Sequence, residues 1–263
     1  MITPLPKLMV APNGARATRR DHPALPVTLP QILATAETCF QAGADGLHLH
    51  IRDGDQRHVL DAAAYREALS ELAALVPEMV VQVTTEAAGR YSAAEQRQLV
   101  RDLAPRLVSV ALREMLSDGD LAAAQRLYRD CADQRIGVQH ILYEPAHLVW
   151  LSEVLPEPLF RNPSLQVIFV LGNYTGRNAS ASELEGFLAE MTALEISPDW
   201  AACAFGPEET ACLRAAHLAG GKLRVGFENN WVDAAGSIAP DNAARVAEIT
   251  AILRDAGPLA PRS

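Results

Sequence analysis

Eight times along this chain a short apolar run is followed by a stretch of helical periodicity, and that alternation restricts the possible folds more than any single motif. Strands are expected over 7–12, 47–51, 79–85, 107–112, 137–143, 165–171, 200–205 and 223–229. The helices between them carry start and stop signals. Thr28 with Gln31, Ser92 with Glu95 and Ser180 with Glu183 have capping-box spacing, Asp61 stands before a helix that runs to Val76, and Gly43 and Pro77 follow helix ends. Further helices are expected over about 118–134, 146–154 and 240–255, and one ends at Ala219. The run at 165–171 is apolar almost throughout, as a strand covered on both faces must be. Strands that alternate with helices lie parallel. Eight such units in 263 residues fit one domain over 1–263, a single (β/α)8 TIM barrel with a loose tail from about 257. No G-x-G-x-x-G follows the first strand, which removes the usual mark of a dinucleotide-binding open sheet.

A barrel of this kind carries its chemistry at the C-terminal ends of its strands. The second strand ends in Leu-His-Leu-His-Ile-Arg-Asp, and residues two apart on a strand project from one face, so His48 and His50 point together. Paired imidazoles are half of a metal site, which two histidines and one carboxylate often complete. The eighth strand reads Arg-Val-Gly-Phe-Glu-Asn-Asn, and alternation puts Arg224, Gly226 and Glu228 on one face. Glu228 is the natural third ligand to His48 and His50. Arg224, deeper on that face, suits a carboxylate or an enolate oxygen. Other polar residues fall at strand ends: Asn13, Thr84, Thr85, Glu86, Glu144, Asn173 and Asn229. Asn13 and Asn173 can equally satisfy loop backbone groups. His140 is expected too deep in strand five to reach the site, and His58, His147 and His217 read as surface or packing residues in a loop or on helices.

Composition removes several classes of function. A formal net charge of −9 argues against nucleic acid as the main partner, since phosphate binding needs a basic surface. No apolar run is long enough to span a bilayer, and the N-terminus lacks a charged-then-apolar signal pattern, so a cytoplasmic protein is expected. Cys39, Cys131, Cys203 and Cys212 form no C-x-x-C pair; their neighbours place three on helices and one on a strand, as small buried thiols.

The sequence resembles the beta-keto acid cleavage enzymes. The matching stretches are Ala-Pro-Asn-Gly-Ala at 11–15, His-Pro-x-Leu-Pro at 22–26, Ala-Gly-Ala at 42–44, Gly-Leu-His-Leu-His-Ile-Arg-Asp at 46–53, Gln-Val-Thr-Thr-Glu at 82–86, Gly-Gly at 220–221 and Arg-Val-Gly-Phe-Glu-Asn-Asn at 224–230. The resemblance implies a zinc-dependent (β/α)8 barrel that forms a homo-oligomer, a tetramer by the family's habit. Its small-molecule partners would be a β-keto acid and the co-substrate acetyl-CoA, which give acetoacetate and a new acyl-CoA. It implies His48, His50 and Glu228 as metal ligands, Arg224 as an assisting group, Thr84 and Thr85 on substrate oxygens, and Glu144 on the pocket wall. Two histidines and one carboxylate also suit iron, cobalt or manganese.

Two positions depart from that pattern. The residue after the metal-binding glutamate is an aspartate base in the best-known members; here it is Asn229, which takes no proton, and Glu144 and Glu86 are the carboxylates that can replace it. Arg16 stands near where the amine-recognising member has a glutamate, so an anionic substrate such as a β-keto dicarboxylic acid is expected, beside the plainer reading of a solvated loop arginine. A metal-dependent barrel hydrolase is the nearest rival, but its His-x-His usually sits on the first strand. A barrel that binds metal and keto acid without turnover is the other.

Overall fold

The computed structural model describes residues 2–174 and 176–255; the expected tail from about 257 lies outside them. In chain order the elements are β1 (Leu8–Val10), α1 (Leu29–Ala42), β2 (Gly46–Leu49), α2 (Ala62–Leu75), β3 (Val80–Thr84), α3 (Ala93–Leu103), β4 (Leu107–Ala111), α4 (Leu112–Met115), α5 (Leu121–Asp133), β5 (Gly137–Leu142), α6 (Ala146–Val154), α7 (Glu157–Phe160), β6 (Gln166–Leu171), α8 (Glu183–Ala193), β7 (Asp199–Ala204), α9 (Glu209–Leu218), β8 (Lys222–Val225) and α10 (Asn242–Asp255). The strands pair in order, all parallel, and β8 closes on β1 with Met9 beside Arg224 and Val10 beside Val225. This is the closed (β/α)8 barrel that the alternation predicts.

Local chemistry explains most of the boundaries. Gln31 accepts hydrogen bonds from the backbone N–H groups of Val27 and Thr28, Asp61 from those of Ala63 and Ala64, and Ser92 and Glu95 satisfy each other's backbone donors. Gly43 ends α1 in the left-handed region. Two expectations need correction. The helix after strand four starts at Leu121 with Asp120 as its cap, because Asp118 is held instead by Arg97. α8 starts at Glu183, so the Ser180–Glu183 pair closes a turn ahead of the helix; the other Glu183 oxygen is taken by Arg177. α4 and α7 are four-residue helices, too short to show periodicity.

Side-chain alternation divides the core in two. Leu47, Leu49, Val167, Phe169, Leu171 and their like face the helices and make the main apolar layer. Met9, Leu107, Ile141, Ile168, Val170 and Cys203 fill the barrel interior. Polar side chains share that interior, and Gln82 donates to Gln139 at 2.9 Å across it. All four cysteines are buried and unpaired, on α1, α5, β7 and α9 as expected. Among the described residues no helix is long and apolar enough to cross a membrane.

His140 is not a deep lumen residue. It faces outward from β5, packed edge-on against Tyr128 of α5 with ring centroids 5.0 Å apart. Burial pushes its pKa down to about 3. The unfolded chain therefore binds a proton near pH 6.5 that the folded chain refuses, and stability falls as pH drops from about 6.5 toward 3, by up to about 1.4 kcal/mol per pH unit for this group. His140→Phe is expected to give a shallower loss than the parent in urea unfolding between pH 7.5 and 5. Equal slopes would remove His140 from the account.

Candidate metal centre and active site

β2 turns the His48 side chain into the lumen, and His50 follows just past the strand end, with the two rings 4.9 Å apart. The parallel register places Gln82 beside His48. The Gln82 carbonyl oxygen accepts from His48 Nδ1 at 2.8 Å, because its amide nitrogen is already donated to Gln139. That fixes the tautomer: Nδ1 carries the proton and Nε2 presents a lone pair. Burial pulls His48 down to about pH 3, so the ring is neutral at ordinary pH.

Glu228 reaches the same point by an unexpected route. β8 ends at Val225, so Glu228 is not carried in by strand alternation. Gly226 adopts φ +139, and a Cβ there would sit 2.4 Å from the Ala11 carbonyl oxygen. The chain turns over that glycine. Its carbonyl accepts from the N–H groups of Asn229 and Asn230, while Glu228 N–H donates to Ala11 at 3.0 Å. Glu228 Oε2 then lies 3.6 Å from His48 Nε2 and 3.5 Å from His50 Nε2, and the two nitrogens are 3.1 Å apart.

Those three atoms fit a cation. A tetrahedral ion with bonds of about 2.1 Å sets its ligands about 3.4 Å apart, which the three separations bracket. His48, His50 and Glu228 are all buried, and Glu228 Oε2 has no hydrogen-bond partner among the described residues. Its other oxygen accepts from Tyr174 Oη at 2.9 Å and Arg224 Nη2 at 3.4 Å. Burial works against the Glu228 charge, but Arg224 and the two histidines outweigh it and hold the carboxyl well below its usual range.

Arg224 also donates to Cys203 Sγ at 3.3 Å, and its Nε and Nη1 donors are buried without a partner among the described residues. A small enclosed pocket of about 20 Å³ adjoins it, walled in part by Thr84, Glu86, Glu114 and Tyr174. Glu86 Oε2 is 3.9 Å from His50 Nε2 and its Oε1 is 3.5 Å from Arg16 Nη2, while burial raises its pKa. Arg16 itself is more than half exposed and lies over the Tyr174 ring.

Of the other expected site residues, Thr84 lines the enclosed pocket and the rest do not. Glu144 is exposed at the start of α6 and does not line the enclosed pocket. Thr85 Oγ1 donates to the Ser109 carbonyl, whereas Thr84 Oγ1 accepts from Glu86 N–H. Asn13 donates to the carbonyls of Pro26 and His50, tying two loops together. Asn229 lines a larger outer cleft rather than the enclosed pocket.

Four residues that matter here had no reading as site residues in the sequence. Tyr174 shares Glu228, Gln82 orients His48, His58 packs 4.9 Å from the His50 ring and reaches the Glu86 carbonyl, and Glu114 accepts from Ala87 N–H and Gln96. Only Gln82 had a signal, its even spacing from Thr84 on one strand face.

The structure is thus a (β/α)8 barrel with a buried triad that could hold a metal ion. The model of the beta-keto acid cleavage enzymes matches residues 7–260, and the chain belongs to that family. It is 23% identical over 260 residues to the 3-oxoadipate:acetyl-CoA acetyltransferase of Cupriavidus necator, covering 95% of this chain and 89% of that one. It is 23% identical over 250 residues to the 3-keto-5-aminohexanoate cleavage enzyme of Fusobacterium nucleatum, covering 93% and 89%. Among solved structures, apo ObcA superposes with a TM-score of 0.65 at 14% identity, over 89% of this chain and 62% of that longer one, a likeness of fold.

Gln82→Leu is expected to lower metal affinity about 10- to 100-fold in a chelator competition on the folded protein, by freeing the His48 ring. Unchanged affinity would deny Gln82 its orienting role. Gly226→Ala is expected to cost at least about 2 kcal/mol in chemical unfolding and to lower the bound-metal content, because its Cβ has no room against Ala11.

Proposed function

We propose that this protein exchanges the acyl groups of a β-keto acid and acetyl-CoA, giving acetoacetate and a new acyl-CoA, at a divalent ion held by His48, His50 and Glu228. The observation that carries this reading is the pairing of that buried triad with the two unpartnered donors of Arg224 beside it. When bound, the ion supplies Lewis-acid stabilisation of the negative charge that develops on the keto acid oxygens. Zinc is the first choice, with iron, cobalt and manganese chemically acceptable.

The chain's own groups account for the remaining steps. Glu86, on the pocket wall, takes the proton from the carbon between ketone and carboxylate, the role Asn229 cannot fill. The resulting carbanion attacks the acetyl thioester and expels the CoA thiolate. That thiolate attacks the original ketone carbon, the carbon–carbon bond breaks, and Glu86 returns its proton to the acetoacetate carbanion. Arg224 Nη1 and Nε, buried in a low-dielectric wall, stabilise the oxyanions of both additions. The enclosed walls keep water from the thioester.

The substrate is a β-keto dicarboxylic acid. The outer cleft, of about 410 Å³, shares Tyr174, Phe205 and Glu228 with the enclosed pocket. Its charged lining is Arg16, Arg177 and Glu228, in a chain whose net charge is −9. Arg16 and Arg177, though each is paired with a glutamate, put guanidinium donors at the mouth that suit an anion, and 3-oxoadipate, in the name of the Cupriavidus relative, is such a dicarboxylate. A cytoplasmic homo-oligomer, tetrameric as the family resemblance implies, completes the proposal.

The metal-analysed protein should form acetoacetate from acetyl-CoA and a dicarboxylic β-keto acid faster than from neutral or cationic ones. His48→Ala is expected to abolish it, and Glu86→Gln to lower kcat about 10²- to 10⁴-fold. Arg16→Ala should reduce the preference for dicarboxylic over neutral substrate. Metal-loaded protein that makes no acetoacetate from any class would overturn the reading in favour of hydrolysis or binding alone.

A further inference from the structure

Asn229 and Asn230 are adjacent, both buried, and used in opposite ways. Asn230 is consumed by structure: its amide donates to the Val232 carbonyl and Glu209, and its oxygen accepts from Val232 N–H. Asn229 is 7% exposed, and neither its amide nitrogen nor its amide oxygen has a hydrogen-bond partner among the described residues. Its backbone is fully engaged, with N–H to Gly226 and the carbonyl accepting from Gly206. The backbone is thus held, and both ends of the side chain are buried without a partner among the described residues. A buried carboxamide left this way costs about 1–3 kcal/mol per group unless something pairs with it.

Asn229 is one of the residues that line the outer cleft. That cleft joins the metal centre along Glu228 and Tyr174, and its floor near Asn229 is apolar, with Phe205, Phe227 and Trp231. The Trp231 indole is already satisfied by the Phe227 carbonyl. Arg177, at the rim, is half exposed and paired with Glu183. Beside the charged Arg16, Arg177 and Glu228, the cleft thus has at Asn229 an unpartnered donor and acceptor on one carboxamide among apolar side chains, next to the point where a thioester must react. A secondary amide on an apolar chain matches it, N–H to the Asn229 oxygen and C=O to its NH₂. The pantetheine arm of a CoA thioester has two such amides, whereas a keto acid has none.

We infer that Asn229 is a binding residue for the acyl donor, anchoring an amide of the pantetheine arm so that the thioester carbon lies at the Glu228 end of the cleft. The inference rests on the acyl-exchange reading above. An aspartate at this position would have no donor for the amide carbonyl and would set a second carboxylate beside Glu228.

The test is a comparison of Asn229→Leu and Asn229→Asp with the parent protein, all metal-loaded. Free CoA binding is followed by calorimetry, and turnover with acetyl-CoA and with S-acetyl-2-mercaptoethanol, a thioester with no amide. Losing two neutral hydrogen bonds should weaken CoA binding and raise the KM for acetyl-CoA roughly 10- to 100-fold in Asn229→Leu, with the KM for keto acid unchanged. The penalty should vanish with the amide-free donor. A penalty that persists with that donor would overturn the inference, as would an unchanged KM for acetyl-CoA in both variants. So would a gain in kcat in Asn229→Asp, which would make the position a vacated base. If the parent neither binds CoA nor makes acetoacetate, the parent reading fails and this one with it. Parent turnover with an indifferent Asn229 sinks this inference alone.

Discussion

A carboxylate and two imidazoles forced together out of water are the constraint to which this barrel is fitted. Burying an ionised Glu228 is costly unless charge and hydrogen bonds surround it. The structure supplies Arg224 and Tyr174 on one oxygen and leaves the other facing His48 and His50. Each supporting group is held in turn: Gln82 by Gln139, and the backbone of Glu228 by Ala11. Preorganisation of this sort is stored in the barrel wall, and a ligand that enters meets groups already oriented.

The loops that follow the two ligand-bearing segments are built alike. After His50, Arg52 bridges His58 and the Asp53 carboxylate accepts from the N–H groups of Asp55 and Arg57. After Glu228, Val232 bridges Ile238 and Asp233 accepts from Ala235 and Ser237. Each ligand segment therefore runs from a strand end into a self-stabilised hairpin, which limits how far either can drift.

The order of elements, the barrel class and the grouping of His48, His50 and Glu228 were legible from the sequence, because they depend on period, capping and spacing along strands. What was not legible depends on closure and register. Glu228 was expected by alternation, yet it arrives through a turn at Gly226 that only the proximity of β1 dictates. Gln82 becomes a partner of His48 because β3 pairs with β2 in one register. Tyr174 comes from the loop after β6, and no local pattern links it to a residue 54 positions on. His140 reads the same on either face of a strand until the face is known. Short helices such as α4 escape for a simpler reason: one turn has no period.

The pairing of β8 with β1 joins the last strand of the barrel to the first, and only that step brings Glu228 to the histidines of β2. During synthesis the imidazoles emerge early and the third ligand almost last. A partial chain can offer two weak donors but no complete cage, so tight capture of an ion waits until the barrel shuts. For the ion proposed above, possession of metal would then be a mark of completed assembly, and a chain stalled before its eighth strand would leave the ribosome without it.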